Sequence, residues 1–231
     1  MNTQEVVHAI TIDGPAGSGK STLGGELSQQ LGLLYFDTGI MYRSLTVAAL
    51  RHQVDVTSTP DMTRLAEQLD LRIVPPMIAD GRHNTVLLEG DDITWETRSP
   101  EVESNVSKAA RHAGVREIMV ARQREIAMRG NAVVIGRDAG TRILPEALLK
   151  IYLVAEASTR AIRRVKDSQT GDEDTIRNEI IRRDLADAHV MSPAPDAIHL
   201  STDNVTVVEE AALVMQYWAE RVNPIKLRRV S

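Results

Sequence analysis

The sequence contains no cysteine among its 231 residues. Disulfide bonds, thiolate metal sites and cysteine nucleophiles are therefore excluded, and the composition fits a reducing compartment. No apolar run approaches the roughly 18 residues that a membrane-spanning helix needs. The first residues, MNTQEVVHAI, lack the basic start and apolar stretch of a secretion signal. We therefore expect a cytoplasmic protein with no membrane partner.

Lysine is also scarce, since five lysines stand against 22 arginines. The net charge of -5 argues against a general nucleic-acid binder, so we expect no nucleic-acid partner. Arginine's planar fork grips phosphate or carboxylate with two bonds at once, although surface salt bridges explain many of these arginines equally well. The six histidines show no metal-ligand spacing, and no histidine metal site is predicted.

The order of apolar patterns predicts an α/β fold. Short apolar runs predict five buried strands, at 6–12, 33–36, 132–136, 150–154 and 197–201. Helical spacing predicts helices at 19–31, 38–52, 59–69, 100–112, 114–130, 158–166, 175–188 and 205–222. This alternation is typical of a five-stranded, mainly parallel sheet with helices on both faces. Residues 71–95 break the alternation and predict a small antiparallel insertion, while 167–174 predict a mobile loop.

The string GPAGSGKST follows the first predicted strand and opens the first predicted helix. It matches the P-loop motif G-x-x-x-x-G-K-[ST], in which glycines let backbone N–H groups point at an anion. In this motif the lysine reaches the β- and γ-phosphates, and the serine, here Ser21, ligates Mg²⁺. We therefore predict binding of ATP with Mg²⁺ as cofactor at nine residues: Gly14, Pro15, Ala16, Gly17, Ser18, Gly19, Lys20, Ser21 and Thr22.

A P-loop alone does not name a function, because kinases, GTPases, transporters and motors all use it. The sequence has no N-K-x-D motif of the kind that reads guanine in GTPases. It also has no LSGGQ-like signature of transporter ATPases; the nearest string, LGGELSQQ, belongs to the first predicted helix. These absences favour a small phosphotransferase.

A second motif, FDTGIMYR, covers residues 36–43. Asp37, Thr38 and Gly39 directly follow the second predicted strand, where open parallel sheets place ligands. Tyr42 and Arg43 come one helical turn later, and an arginine there could clamp an acceptor phosphate. A plain helix cap explains Asp37 and Thr38 as well, and capping does not exclude binding.

GPAGSGKST followed by DTGxxYR resembles the bacterial cytidylate kinase family. The stretch LDLRI…VLLEGDDITWETRSPEVESNVSKAA…VREIMVARQR is similar to the family's monophosphate-binding insert, and GRDAGT at 136–141 is similar to its GRDxGT box. RRD at 182–184, with Asp187, resembles the region that closes its lid. The resemblance runs from about residue 7 to about residue 201. It implies a monomer with the P-loop NTPase fold: a single kinase domain, 1–231, with its core at about 1–52 and 131–231, an insert at about 53–130 and a lid at about 163–184.

The resemblance implies a catalytic set of five cationic residues: Lys20, Arg43, Arg137, Arg163 and Arg164. Arg43 and Arg137 would hold the acceptor phosphate. Arg163 and Arg164 would act in the lid, beside the transferring phosphoryl group. Such residues would neutralise charge that develops during in-line transfer.

The resemblance also implies a nucleoside-binding set, which comprises Thr38, Ser107, Arg116, Asp138, Arg183 and Asp187. A carboxylate beside an arginine matches the edge of cytosine, which offers a donor beside acceptors. A site built for the exocyclic amine rejects uracil, because its own polar groups are then left unpaired. Simpler explanations stay open: Ser107 as a small helical residue, Asp138 as a carboxylate that positions magnesium, and Arg183 as a surface ion-pair partner.

Two departures from the family pattern stand out. Ile135 replaces the aspartate that usually precedes the GRD box, which extends the apolar strand and removes a carboxylate. After the lid, Ala188 and Val190 stand where serine and arginine are expected. The loss of a cation near the transferring phosphoryl group lowers kcat more than binding.

These patterns together predict an enzyme of pyrimidine nucleotide metabolism that transfers a phosphoryl group from ATP to CMP or dCMP. One alternative is a sister kinase that acts on UMP, AMP or another small acceptor. A second is a catalytically weak, ATP-binding regulatory protein, which the missing lid arginine at Val190 supports.

Overall fold

The computed structural model describes residues 6–168, 172–187 and 191–228. Contacts divide the chain into two compact units. Met1–Leu33 and Gly130–Ser231 form the first, which we call the P-loop unit. Leu34–Arg129 form the second, which we call the inserted unit.

The described residues form eight strands and eight α-helices. The strands are β1 (Val7–Asp13), β2 (Leu34–Asp37), β3 (Leu71–Val74), β4 (Thr85–Leu88), β5 (Asp91–Asp92), β6 (Ala132–Ile135), β7 (Ala147–Val154) and β8 (Ile198–Ser201). The helices are α1 (Lys20–Leu31), α2 (Gly39–Arg51), α3 (Thr59–Gln68), α4 (Pro100–Ala109), α5 (Ala113–Met128), α6 (Ala157–Ser168), α7 (Glu173–Asp187) and α8 (Val207–Arg228). Within the described ranges, none of these helices is both long and apolar enough to cross a membrane.

Five strands form one sheet, in the order β2-β6-β1-β7-β8. Strand β1 pairs in parallel with β6 and β7, and β7 pairs in parallel with β8. Ile10 and Ile12 of β1 are fully buried, because a strand with a neighbour on each side and helices over the sheet has no wet face. The predicted α/β fold with a parallel sheet is confirmed.

In the P-loop unit, α1 packs against α8 and buries Leu23 and Leu27. Helices α6 and α7 pack against each other, and Ala161 and Ile180 are fully buried. Helices α6 and α7 contain most of the residues that the sequence analysis assigned to a lid, at about 163–184.

The inserted unit contains a three-stranded sheet, in the order β3-β4-β5, whose strands are antiparallel. The predicted antiparallel insertion is therefore confirmed. Arg82 fixes the loop before β4, because its buried guanidinium pairs with Asp80 at 2.7 Å and with Asp92 at 2.5 Å. Helix α4 begins after Ser99, whose hydroxyl accepts a hydrogen bond from the N–H of Val102. Helix α2 packs on α3, α4 and α5.

The structure differs from the sequence prediction in several places. Helix α2 packs on helices of the inserted unit, whereas β2, which precedes it, lies beside β6 in the five-stranded sheet. The proposed domain boundaries stay a prediction. Helices α6 and α7 extend into the predicted loop at 167–174, of which 169–171 lie outside the described residues. A π-helical turn at Ala139–Ile143 was not predicted.

Candidate functional site

The P-loop joins the carboxyl end of β1 to the first residue of α1. Gly14, Gly17 and Gly19 have φ values of 145°, 78° and 94°, a region that side-chain-bearing residues rarely adopt. A Cβ on Gly14 would lie 2.5 Å from the carbonyl oxygen of Leu153, so any side chain at this position would clash with the backbone of β7. Gly19 caps α1, and the N–H groups of the first helical turn therefore face the loop.

Lys20 lies over this loop. Its ammonium group donates hydrogen bonds to the carbonyl oxygens of Gly14, at 2.8 Å, and Pro15, at 2.7 Å. Ser21 and Thr22 follow on the first turn of α1 and are exposed. The lysine ammonium and the N-terminus of α1 thus make the electrostatic potential at the P-loop positive.

The GRDAGT segment, residues 136–141, follows β6. Because β6 and β1 are adjacent parallel strands, their carboxyl ends lie at the same edge of the sheet. Arg137 and Asp138 are half-buried there, and the π-helical turn begins immediately after them. The P-loop unit therefore brings the predicted ATP loop together with two residues of the predicted acceptor site.

Asp13, which the sequence analysis did not select, connects these two segments. Its two carboxylate oxygens accept hydrogen bonds of 2.7 Å from the backbone N–H groups of Ala139 and Gly140. Burial raises the pKa of Asp13 to about 6, although both hydrogen bonds oppose the rise. The available signal was its place directly before Gly14, at the end of a buried strand.

Arg163, predicted for the lid, lies beside the P-loop on α6. Its guanidinium donates to the hydroxyl of Thr202, at 2.8 Å, and to the carbonyl of Thr202, at 2.5 Å. One of its nitrogens is 3.9 Å from the position of a Cβ built on Gly19. Burial raises the pKa of nearby Glu210 to about 7, and Arg163 acts against that rise. Arg164 occupies the next position of α6 and is half-buried.

Arg160, on the same helix, is a second residue that the sequence analysis missed. Its side chain is 6% exposed and makes a two-bond contact with Asp184 of α7, at 3.1 and 2.6 Å. It also donates to the carbonyl of Ala16 in the P-loop, at 3.1 Å. Its Cβ lies 3.2 Å from a Cβ built on Gly17. The signal was the three-residue spacing to Arg163, which places both arginines on one helical face.

Some of the predicted site residues lie partly or wholly outside the described part of the chain. Arg183 and Asp187 fall on α7, but their side chains lie outside the described residues. Ala188 and Val190 lie wholly outside them. Ile135 is 2% exposed and ends β6, so the apolar residue extends the strand as expected.

In the inserted unit, the DTG motif forms the junction of β2 and α2. A carboxylate oxygen of Asp37 accepts a hydrogen bond of 2.9 Å from the N–H of Gly39, so this carboxylate does stabilise the local turn. Thr38 is buried, and its carbonyl accepts a hydrogen bond of 2.9 Å from the side chain of Gln123 on α5. Tyr42 is half-buried on the first turn of α2.

Arg43 already has an anionic partner in the inserted unit. It pairs with Glu103 of α4 at 2.5 Å and approaches the carbonyl oxygen of Thr97 at 3.4 Å. Ser107 lies exposed on α4, and Arg116 lies half-buried on α5. The inserted unit thus holds Arg43 together with an acidic group that can occupy its guanidinium.

The sequence is similar to a known protein family and to curated members of it. The family model described as cytidylate kinase matches residues 10–220. A cytidylate kinase from Chloroflexus aggregans is 48% identical over 214 residues, which cover 91% of this chain and 93% of that protein. One from Roseiflexus castenholzii is 48% identical over 217 residues, with 92% and 94% coverage.

A solved structure supports the fold independently of sequence. The gluconokinase from Sinorhizobium meliloti superposes with a TM-score of 0.51 at 11% identity and covers 97% of this chain and 98% of its own. That likeness concerns the fold alone. Because the family model spans most of the chain and the curated relatives align over nearly all of it, the chain belongs to the cytidylate kinase family.

Proposed function

We propose that the protein is a cytoplasmic, monomeric enzyme of pyrimidine nucleotide metabolism, which transfers the γ-phosphoryl group of ATP to CMP or dCMP. The products are ADP and CDP or dCDP. The observation that carries the proposal is the junction of the P-loop and the GRDAGT segment at the carboxyl ends of β1 and β6. Family membership over residues 10–220 supports the choice of acceptor.

The donor end of the proposed site is the P-loop. The proposal assigns the triphosphate to the backbone N–H groups of residues 14–22, and its β- and γ-phosphates to Lys20. Lys20 now bonds two loop carbonyls, at 2.8 and 2.7 Å, and would exchange these for phosphate oxygens. A charge-assisted bond to phosphate is stronger than one to a neutral carbonyl, which favours the exchange.

Mg²⁺ enters the proposed site as the cofactor of ATP. The described part of the chain contains no cluster of three His, Cys, Asp or Glu side chains able to hold a metal. The hydroxyl of Ser21, exposed on the first turn of α1, suits a hard cation that is otherwise bound by phosphate oxygens and water. When bound, the ion supplies charge neutralisation at the β- and γ-phosphates.

The acceptor end is assigned residue by residue from the family resemblance. The proposal assigns the acceptor phosphate to Arg43 and Arg137, and the cytosine edge to Ser107, Arg116 and Asp138. The sugar is assigned to Arg183 and Asp187, with Asp37, Thr38, Gly39 and Tyr42 around the base and phosphate. The mixture of arginine, carboxylate and hydroxyl groups supports recognition of an amino-pyrimidine over its keto analogue.

Phosphoryl transfer between these ends needs no general base, because the acceptor phosphate is already ionised at neutral pH. The chain's own contribution is then positioning, charge neutralisation and exclusion of water. Arg163 and Arg164 of α6 would add positive charge beside the transferring group, and closure of the α6–α7 lid would exclude water.

The test is ADP formation from Mg-ATP with CMP, dCMP, UMP and AMP offered separately. We expect rapid turnover with CMP or dCMP and little with UMP. Lys20→Met keeps the length of the side chain, removes its charge and should abolish turnover. Equal turnover with UMP would keep a kinase and remove the assignment of Ser107, Arg116 and Asp138. ATP binding without turnover of any acceptor would favour the regulatory protein that the missing cation at Val190 suggests.

A further inference from the structure

We propose that Asp13 is a positioning residue for phosphoryl transfer, which holds the GRDAGT segment at a fixed place relative to the P-loop. Its kinetic consequence rests on the function proposed above. Asp13 itself touches neither substrate in this proposal. It acts through the two backbone segments on which the donor and acceptor phosphates are assigned.

The geometry of the contact is specific. Oδ1 accepts from the N–H of Ala139 and Oδ2 accepts from the N–H of Gly140, each at 2.7 Å. Two consecutive N–H groups that point to one place form a natural anion cradle, and here a carboxylate of the same chain fills it. Two anchoring bonds fix both the distance and the orientation of the segment, which a single bond does not.

The surroundings leave little room for another arrangement. A Cβ on Gly140 would lie 2.8 Å from the hydroxyl oxygen of Thr11 and 3.2 Å from Oδ2 of Asp13. Asp13 is 3% exposed, and a carboxylate is costly to bury unless its oxygens are bonded. The segment is therefore pressed closely against the end of β1, and its backbone depends on this carboxylate for its hydrogen bonds.

Both neighbours of the contact belong to the proposed reaction. Asp13 directly precedes Gly14, the first residue of the P-loop, whereas Ala139 directly follows Arg137 and Asp138. A small displacement of the segment would therefore move the acceptor groups and leave the P-loop glycines and Lys20 in place. Misplacement of reacting groups by about 1 Å can lower a rate on the order of a hundredfold.

The first variant is Asp13→Asn, which keeps the shape of the side chain. An amide offers one acceptor oxygen, and its NH₂ group then faces the second backbone N–H. We expect kcat/KM for CMP to fall on the order of 10- to 100-fold, while KM for ATP changes by less than about threefold. The matched control is Glu209→Gln, which alters an exposed carboxylate of the same unit that also accepts a backbone N–H bond, from Thr206. It should leave both KM values unchanged.

A second variant reaches the same contact from the other side. Gly140→Ala leaves Asp13 intact and pushes the segment away from Thr11 and Asp13, so it should give the same selective loss toward CMP. Amide hydrogen exchange supplies a readout that needs no substrate. The amides of Ala139 and Gly140 should exchange faster in Asp13→Asn than in the wild type and in Glu209→Gln.

The outcomes separate this proposal from the proposed function. If Asp13→Asn lowers the unfolding temperature without a selective fall in kcat/KM for CMP, the residue is merely structural and the proposal is overturned. Unchanged exchange at Ala139 and Gly140 overturns it as well. If the wild type does not phosphorylate CMP, the proposed function fails. CMP and ATP affinities measured by calorimetry, together with the exchange data, then decide on Asp13.

Discussion

At the scale of single residues, an ion pair of the inserted unit occupies the guanidinium assigned to the acceptor phosphate. Arg43 and Glu103 are 2.5 Å apart, with 28% and 51% of their side chains exposed. A pair this exposed is weak, typically below about 1 kcal/mol, so an acceptor phosphate can displace it. If Arg43 binds the acceptor phosphate as proposed, Glu103 competes with that phosphate for the guanidinium and does not block it.

Replacement of this competitor should tighten acceptor binding. In Glu103→Gln we expect KM for CMP to fall about two- to fivefold, because the acceptor phosphate no longer displaces a carboxylate. KM for ATP should not change. Glu101→Gln, on the first turn of the same helix, serves as the control in steady-state assays. An increase in KM for CMP would instead show that Glu103 helps to orient Arg43.

The raised pKa of Asp13 leads to a prediction about how the stability of the fold depends on pH. Burial raises the pKa of its carboxyl from 3.8 to about 6, which corresponds to about 3 kcal/mol between the two protonation states. Between these values the folded protein holds a proton that the unfolded chain has released. Asp13 therefore contributes stability below about pH 4, and that contribution is lost as the pH rises through about 6.

Chemical unfolding at pH 4 to 7 tests this sign. The wild type should lose more free energy of unfolding over that interval than Asp13→Asn, which has no proton to exchange. The charged groups that act on Asp13 are Asp138 and Lys20, and the Tyr152 hydroxyl is close enough to respond to its charge. Identical pH profiles for the two proteins would show that the pKa of Asp13 is not raised.

At the scale of elements, Arg160 joins three segments of the P-loop unit. It bonds Asp184 of α7, the carbonyl of Ala155 before its own helix and the carbonyl of Ala16 in the P-loop. A Cβ built on Gly17 would lie 3.2 Å from the Cβ of Arg160, so the loop passes close to α6 at this residue. The α6–α7 pair is therefore attached to the P-loop at a defined point.

Replacement of Arg160 by lysine should weaken the binding of ATP. Arg160→Lys keeps one charge but cannot make the two-bond contact with Asp184 and the bond to Ala16 together. We expect KM for ATP to rise about tenfold or more, with a smaller effect on KM for CMP. Arg177→Lys, which alters an exposed pair with Asp174 on α7, is the control in the same assay. Equal effects on both KM values would refute a donor-side role.

The segment after α7 contributes a prediction from sequence alone. Val190→Arg restores the cation that the family pattern places near the transferring phosphoryl group. We expect kcat to rise about tenfold or more with little change in KM, because charge is stabilised mainly in the transition state. Single-turnover kinetics would measure it. An unchanged rate would mean that another cation already fills this role.

The elements themselves were largely predictable, whereas the contacts between them were not. Continuous apolar runs and helical spacing located the five strands of the main sheet and all eight helices, because burial on a sheet or helix face imposes those periods. The π-helical turn at Ala139–Ile143 has no such period, since its shape depends on the carboxylate of Asp13, distant in sequence. The role of Arg160 was hidden for the same reason. Helical spacing predicts the face of α6 on which it lies, but not the residues that it contacts.

At the scale of the whole molecule, the predicted site residues are shared between two units. Lys20, Arg137 and Arg163 belong to the P-loop unit, while Arg43 and Arg116 belong to the inserted unit. The sequence predicted this division only in outline, because motifs identify which segments bind but not which segments pack together. Each substrate should therefore stabilise a different part of the chain.

Hydrogen exchange with each ligand tests this division. ADP with Mg²⁺ should slow exchange in the P-loop and at the start of α1, with little effect on α4. CMP should slow exchange in α2, in α4 and in the GRDAGT segment, because its assigned contacts lie on both units. Exchange in α7 should slow most when both ligands are present. Protection of α4 by ADP with Mg²⁺ alone would contradict the assignment.

The pairing of β1 has a consequence for the order in which the chain acquires its structure during synthesis. Ile10 pairs with Val133 and Leu149, so β1 is made long before either neighbour exists. The inserted unit, Leu34–Arg129, is by contrast one continuous stretch, complete before β6 is synthesised. On the ribosome the inserted unit can fold first. During that time the apolar strand β1 has both of its edges unpaired, because β6 and β7 have not yet been made. Cells that slow translation between residues 129 and 150 would prolong the interval in which this protein is most prone to aggregate.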